Sequence, residues 1–429
     1  MTVTLDYGRN GLVAELADRL VHHVLSLAPA PPLSAPALAI HTALLEAELP
    51  RLAEGKRTAC IVICDITRPV PNQLILTEVL ALLSLPPANI CILIATGTHR
   101  ASTEAERREM LGEVILASGV HVLDHDCDDP ETNRFIGMSP GNLPIYLDTR
   151  WLDAELKLTV GLIEPHFMAG YSGGRKLVMP GVAGRETIQA WHSPQFLEHD
   201  NARNGVLDAN PVHEENTAIA AFAPADLICD VTLDEQRRVT GIFCGHWIHA
   251  WRRGTEFVAM QARPLIPELV DACVTSGGGY PLDATFYQVV KGIVGAYPIV
   301  KPGGTVIIAA QMQEGVGSPH FKETLEAHAD LDALVAQMST PHWTPLPDQW
   351  QVEMLARACR HHKVIVVTEP TRAAELRRCH VDAVGSMQEA LARLSETATI
   401  AVIPKGPYVI PAVKSHEMEI VTRRDLFPA

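Results

Sequence analysis

The sequence predicts an α/β protein built on mainly parallel sheets, and three observations carry that reading. Short Val- and Ile-rich runs recur at 59–64, 90–95, 158–163, 225–231, 272–275, 305–310, 364–368 and 399–403, as expected of strands buried on both faces. Segments of helical period, such as 74–83 and 376–394, separate them in the manner of crossover connections. Gly- or Pro-rich turns follow several of the runs, and in open α/β sheets ligands bind beyond the carboxyl ends of the strands.

The 429 residues suffice for two or three domains. We expect a first α/β domain over 1–265 and a second over 266–404, opening near the Pro-flanked stretch 263–267. Residues 405–429, which carry Pro407, Pro411 and Pro428, are expected to complete the first. Hydrophobic residues at 47% against 20% charged match a soluble protein with a large core, which excludes disordered and collagen-like readings. A net charge of −15 argues against nucleic acid as the partner, because phosphate recognition needs clustered Lys and Arg. No stretch approaches the roughly 18 apolar residues of a membrane span. The opening MTVTLDYGRNGL has neither the basic nor the apolar region of a secretory signal, and the 9 cysteines are scattered, so a cytoplasmic setting is expected. The 19 histidines outnumber the 9 Phe and the 7 Tyr, which directs attention to metal ligation and proton transfer.

The run at 59–64 leads into Asp65-Ile66-Thr67-Arg68-Pro69-Val70-Pro71. The two prolines keep this turn out of helical geometry and leave Asp65 and Arg68 at the mouth of the sheet. Arg68 suits bidentate recognition of a carboxylate with Asp65 orienting it; an Asp–Arg pair that only braces the loop is the alternative. After 90–95 comes Thr96-Gly97-Thr98-His99, where Gly97 permits a sharp turn and His99 can project into a cleft or into solvent. The stretch after 158–163 is the most informative: GLIEPHFMAGYSGGRKLVMPGVAGRETIQAWH places His166, Ser172, the Arg175-Lys176 pair and His192 beyond one strand. It is not a P-loop, since that motif would need Gly at Arg175 and Ser or Thr at Leu177, and no G-x-G-x-x-G occurs anywhere in the chain. Its glycines let backbone approach something closely, and Lys176 is either an ion-pair partner, a covalent attachment point or a solvated side chain.

In the second half, Ser276-Gly277-Gly278-Gly279-Tyr280-Pro281 follows a strand and precedes a helix expected over 284–294. Backbone N–H groups at such a turn can hold a phosphate. Gln288 and Lys291 lie three residues apart on one helix face, either reaching a carboxylate across the domains or forming an exposed polar stripe. The acidic run 124–129 lacks the Gly and Glu of an EF-hand, and His213-Glu214-Glu215 lacks the second histidine of H-E-x-x-H, so neither is read as a metal site.

Taken in order, Asp65-x-x-Arg68-Pro, Gly97-Thr-His99, Glu164-Pro-His166 through Gly-Gly-Arg-Lys176, Trp191-His192-Ser and Gly-Gly-Gly-Tyr-Pro with Tyr287-Gln288 and Lys291 resemble the nickel-dependent lactate racemase family. The resemblance implies two α/β domains enclosing an active-site cleft that holds a nickel-pincer nucleotide, a pyridinium mononucleotide whose two sulfurs and one ring carbon bind nickel. It implies Lys176 as the residue that can be tethered to the cofactor and His192 as the protein ligand to nickel, a reasonable partner for Ni(II). His99 and His166 would form the acid/base pair, with Asp65, Arg68, Gln288 and Lys291 around the substrate. Ser172 and the Gly277, Gly278 and Gly279 turn are our candidates for further cofactor contacts, the turn for its phosphate. The implied reaction is racemisation of a small 2-hydroxy acid, lactate-like, by proton-coupled hydride transfer through a 2-oxo acid, with each histidine titrating near the working pH. The enzymes that make the cofactor would be partners. A larger substrate such as malate or an aldonate is the first alternative; malate would need an extra cation, for which Arg100 or Arg175 are candidates, and Tyr171, Tyr287 or Trp350 would shape the tail. A non-catalytic nickel-cofactor carrier is the alternative of another class.

Overall fold

Each apolar run of the sequence lies in a strand of one of two six-stranded sheets. The computed structural model describes residues 1–414 apart from Pro29 and Pro341. The first sheet runs, edge to edge, Val239–Gly245, Leu227–Leu233, Leu156–Leu162, Ala59–Cys64, Ile90–Ala95 and His121–Asp124. All its pairs are parallel except that between Leu227–Leu233 and Val239–Gly245. The second runs Asp382–Val384, Lys363–Val367, Val300–Ala309, Val270–Ser276, Ile400–Ile403 and Val21–Val24, all parallel. Central strands such as Ala59–Cys64 are buried along almost their whole length, because helices cover both faces and every side chain must be apolar.

Two expectations are corrected. The Val21–Val24 strand, in the stretch assigned to the first domain, pairs with Ile400–Ile403 and forms the edge of the second sheet. Its sequence VHHV alternates between half-buried and exposed positions, so no apolar run marks it. The helical segment expected over 376–394 divides into a helix at Ala373–Arg378, the strand Asp382–Val384 and a helix at Met387–Leu391. Near the expected boundary, Leu265–Ile266 pairs with Ala412–Val413; the remainder of the returning segment, from 415 onward, lies outside the described residues.

One apolar core joins the halves, running from Trp191, Phe196 and Leu197 to Val352 and Leu355 of the Gln349–His361 helix. That helix also clamps the first half by polar contacts. Arg357 donates to the carbonyls of Leu197 and Ala202 at 2.6 and 2.8 Å, and Arg360 pairs with Glu198 at 2.5 Å. Separate cores fill the far face of each sheet, around Ile61 and Ile75 in the first and Val274 and Ile307 in the second. The carboxyl ends of the strands thereby face a shared cleft.

Candidate active site

The turn after Ala59–Cys64 does not form the expected Asp65–Arg68 pair. Asp65, nearly buried, lies 2.7 Å through Oδ2 from His99 Nδ1 and accepts from Thr67 Oγ1 at 2.5 Å. A carboxylate can only accept, so His99 carries its proton on Nδ1 and presents a bare Nε2. Burial acts to raise the Asp65 pKa, but the bonds from His99 and Thr67 and the nearby Arg68 charge outweigh it and hold the carboxyl below its usual value. Arg68 instead reaches Glu164, Nε to Oε1 at 3.2 Å.

His166 is held in the opposite tautomer. The short hairpin of Pro165–His166 with Gly170–Tyr171 closes around its ring, and Nδ1 accepts the Ala169 N–H at 3.2 Å. The proton of the neutral ring then sits on Nε2. Burial, reinforced by Lys176, Arg68 and Lys291, pushes the His166 pKa well down, which departs from the expectation that it titrates near neutrality. The physical reason is the concentration of positive charge around an imidazole shielded from water.

Lys176 lies in the one-turn helix Arg175–Val178 with Nζ 5.0 Å from the centroid of the Trp191 ring. Its pKa is pushed well below that of a free lysine, first by burial and then by Arg175, Arg68 and Lys291. A neutral amine is a nucleophile, as covalent attachment requires. His192 caps the Arg185–Trp191 helix between two indoles, with ring centroids 4.4 Å from Trp191 and 4.6 Å from Trp350. Its Nδ1–H donates to the Ile188 carbonyl at 3.0 Å, which leaves the Nε2 lone pair free. Burial and then Lys176 depress its pKa to about 3, so the ring stays neutral, as a metal ligand must. The donor set therefore fits the tethered nickel group implied by the sequence.

From the second half, the Phe286–Ala296 helix presents Gln288 and Lys291. The Gln288 Oε1 is buried with no hydrogen-bond partner among the described residues, an unmet acceptor that a ligand donor would satisfy. Lys291 has its Nζ 6.0 Å from the Phe167 ring centroid of the first half. Its pKa falls to about 8, chiefly from burial and then from Arg68, with Glu164 opposing.

Two candidate contacts prove to be internal braces. Gly277 N–H donates to the Ala309 carbonyl at 2.9 Å and Gly278 N–H to Ser276 Oγ at 3.3 Å, so two of the amides offered to a phosphate are engaged. Loop Asp6–Gly11 covers the turn, where Tyr280 N–H reaches the Gly8 carbonyl at 2.8 Å and Asp283 takes the Gly8 N–H at 2.6 Å. Ser172 Oγ donates to the Leu162 carbonyl at 2.7 Å and accepts the Glu164 N–H at 3.0 Å, fixing the glutamate's backbone. The glycines 173 and 174, at φ of +78° and +49°, bring backbone against Asp230 and Trp251 rather than a ligand.

The cations considered for a second substrate carboxylate are committed elsewhere. Arg100 forms a two-pronged pair with Glu106 at 2.8 and 2.6 Å. Arg175 is buried, lies 3.9 Å over the Trp251 ring and donates to the Ala169 carbonyl at 3.1 Å. Two residues were not singled out from the sequence. Glu164 was within reach, as an acid two positions before His166 at a strand end. Asp230, fully buried in Leu227–Leu233, accepts the Gly174 N–H at 2.7 Å and leaves Oδ1 without a partner among the described residues; a lone carboxylate inside an apolar run was its signal.

Comparison with known proteins identifies the family. Residues 7–205 match the model of the lactate racemase N-terminal domain and 267–411 that of the C-terminal domain. The lactate racemases of Thermoanaerobacterium thermosaccharolyticum and Lactiplantibacillus plantarum are each 36% identical over 371 residues, covering 84% and 85% of this chain and 85% and 87% of theirs. The solved lactate racemase apoprotein from T. thermosaccharolyticum superposes with a TM-score of 0.88 at 32% identity, over 96% of this chain and all of its own. A Thermotoga maritima structure at 18% identity and a TM-score of 0.65 shares the fold alone. With both domain models matched in order around one cleft, the chain belongs to the lactate racemase family of isomerases.

Proposed function

We propose that this protein interconverts the enantiomers of a lactate-like 2-hydroxy acid, using a nickel-pincer nucleotide held by Lys176 and His192. The observation that carries the reading is the complementary preparation of the two histidines: His99 offers a bare Nε2 and His166 a protonated one. When bound, the nickel group supplies a reversible acceptor for the Cα hydride. Everything else falls to the chain. Arg68 and Lys291 bind the substrate carboxylate, and Gln288 takes a hydrogen bond from the hydroxyl of substrate or cofactor. His99 Nε2 removes the hydroxyl proton of one enantiomer, with Asp65 stabilising the imidazolium that results. The 2-oxo acid stays clamped by its carboxylate. Delivery of hydride to the other face would give the opposite configuration with His166 as acid. It fills that role only as the imidazolium, so it must take up a proton at Nδ1, in place of the Ala169 hydrogen bond, as the substrate anion binds. In the reverse direction the rings exchange roles: His166, left with its proton on Nδ1, takes the hydroxyl proton at Nε2, and the His99 imidazolium stabilised by Asp65 gives one back.

The test is chiral chromatography of lactate incubated with nickel-loaded protein, alongside metal analysis and intact mass. We expect His99→Ala and His166→Ala to lose turnover by about 100-fold or more while retaining nickel, and His192→Ala to lose nickel. A cofactor-sized mass on Lys176 is expected. Near-normal turnover in either catalytic variant, or undiminished nickel in His192→Ala, would overturn the assignment. A non-catalytic carrier predicts nickel binding with no turnover in the unaltered protein.

A further inference from the structure

The carboxylate that faces the substrate end of the cleft belongs to Glu164, and its position bears on which acids can enter. Glu164 touches Arg68 at 3.2 Å, and both side chains are about one-third accessible, at 30% and 32%. Lys291 feels both groups, its pKa lowered by Arg68 and raised by Glu164, so the three charges share one space. The backbone of the glutamate is fixed. Its N–H donates to Ser172 Oγ at 3.0 Å, and its carbonyl accepts the Ser172 N–H at 2.9 Å.

We propose that Glu164 is a specificity-determining residue that confines this site to 2-hydroxy acids bearing a single carboxylate. The argument is one of charge balance and rests on the racemase reading above. Arg68 and Lys291 contribute two positive charges, Glu164 and one substrate carboxylate match them, and Asp65, also held ionised beside Arg68, leaves no positive charge to spare. A malate-like acid brings a further carboxylate. A buried excess charge is costly unless a further cation meets it, and Arg100 and Arg175 are held by Glu106 and by backbone carbonyls. Like charges brought together in a partly desolvated site cost on the order of tenfold to a hundredfold in affinity. Neutral tails, including hydroxylated ones, escape this penalty, and the Glu164 carboxylate can accept from a tail hydroxyl.

The experiment compares kcat/KM for D-lactate and D-malate in nickel-loaded protein, unaltered and as Glu164→Gln and Glu164→Asp. The unaltered enzyme should favour lactate by at least about tenfold. Glu164→Gln should narrow that ratio severalfold, whereas Glu164→Asp, which keeps the charge, should not. An unaltered enzyme that handles malate as well as lactate, or a ratio unmoved in Glu164→Gln, overturns the inference. Should the glutamine variant not fold or load nickel, inhibition of lactate turnover in the unaltered enzyme decides. Butyrate should inhibit at lower concentration than succinate, and the opposite order overturns the inference. Nickel-loaded protein that racemises no 2-hydroxy acid removes the racemase reading and this inference together; racemisation of malate as efficiently as lactate removes the inference alone.

Discussion

At the scale of single residues, the site is organised by what each ring nitrogen is bonded to. His192 Nδ1 is fixed by a helix carbonyl, His166 Nδ1 by a loop N–H and His99 Nδ1 by a carboxylate. The three imidazoles thus differ in what holds them, and the proposed function gives each a different role. Sequence motifs supplied the histidines but not the partners: Asp65 was expected to orient Arg68 and instead orients His99, because Arg68 is drawn to Glu164 beyond the neighbouring strand of the same sheet. This makes Asp65 a positioning residue with a measurable role. Asp65→Asn can still accept a hydrogen bond but cannot stabilise an imidazolium, so kcat should fall by roughly 10-fold to 1000-fold. Nickel content and the KM for lactate should change little, since neither ligand nor carboxylate clamp is touched. A kcat within twofold of the unaltered enzyme would leave Asp65 with a purely structural role.

At the scale of elements, legibility followed burial. The eight interior or near-interior strands read as continuous apolar runs because helices cover both faces. The edges His121–Asp124, Val21–Val24 and Asp382–Val384 did not, because alternate or terminal positions face water. Val239–Gly245 was hidden by its two glycines and its antiparallel pairing. Within Leu227–Leu233 the apolar run also concealed Asp230, whose carboxylate supports the Gly-rich turn behind Lys176. Burial raises its pKa from 3.8 to about 7, against the opposing Gly174 N–H and Arg175. The sign of the consequence follows. A folded-state pKa above the unfolded value means that the folded protein keeps this proton while the unfolded chain releases it, so stability declines as pH rises from about 4 to about 7. The full effect is at most ~4 kcal/mol at about 1.4 kcal/mol per pH unit. Asp230→Asn cannot titrate and still accepts the Gly174 N–H, so its unfolding midpoint should drop less between pH 5 and pH 8 than that of the unaltered protein. Glu353, also buried and raised to about 8, contributes a decline of the same sign in both proteins and cancels in the comparison. Parallel pH profiles for the two proteins would show that Asp230 is ionised throughout.

At the scale of the whole molecule, a protein of net charge −15 must admit an anion, so long-range attraction cannot bring the substrate in. In the proposed site, capture depends on Arg68 and Lys291, which come from different halves of the chain and act together only while the halves stay docked. The Gln349–His361 helix does that docking, and it places Trp350 against His192 with ring centroids 4.6 Å apart. Its contacts differ in kind. Arg357 is buried and satisfies two carbonyls of the first half, those of Leu197 and Ala202, whereas Arg360 pairs with a partly accessible Glu198. Removing a partner from buried carbonyls costs about 1–3 kcal/mol for each group left unmet, while a partly accessible ion pair contributes less. Arg357→Met should therefore destabilise the protein by about 2–4 kcal/mol, and Glu198→Gln by much less. Because the same helix carries the indole that covers His192, Arg357→Met should also lower kcat/KM for lactate beyond what the loss of folded protein explains. Thermal unfolding and kinetics on nickel-loaded protein separate these effects, and equal behaviour of the two variants would show that the clamp contributes nothing beyond its ion pair.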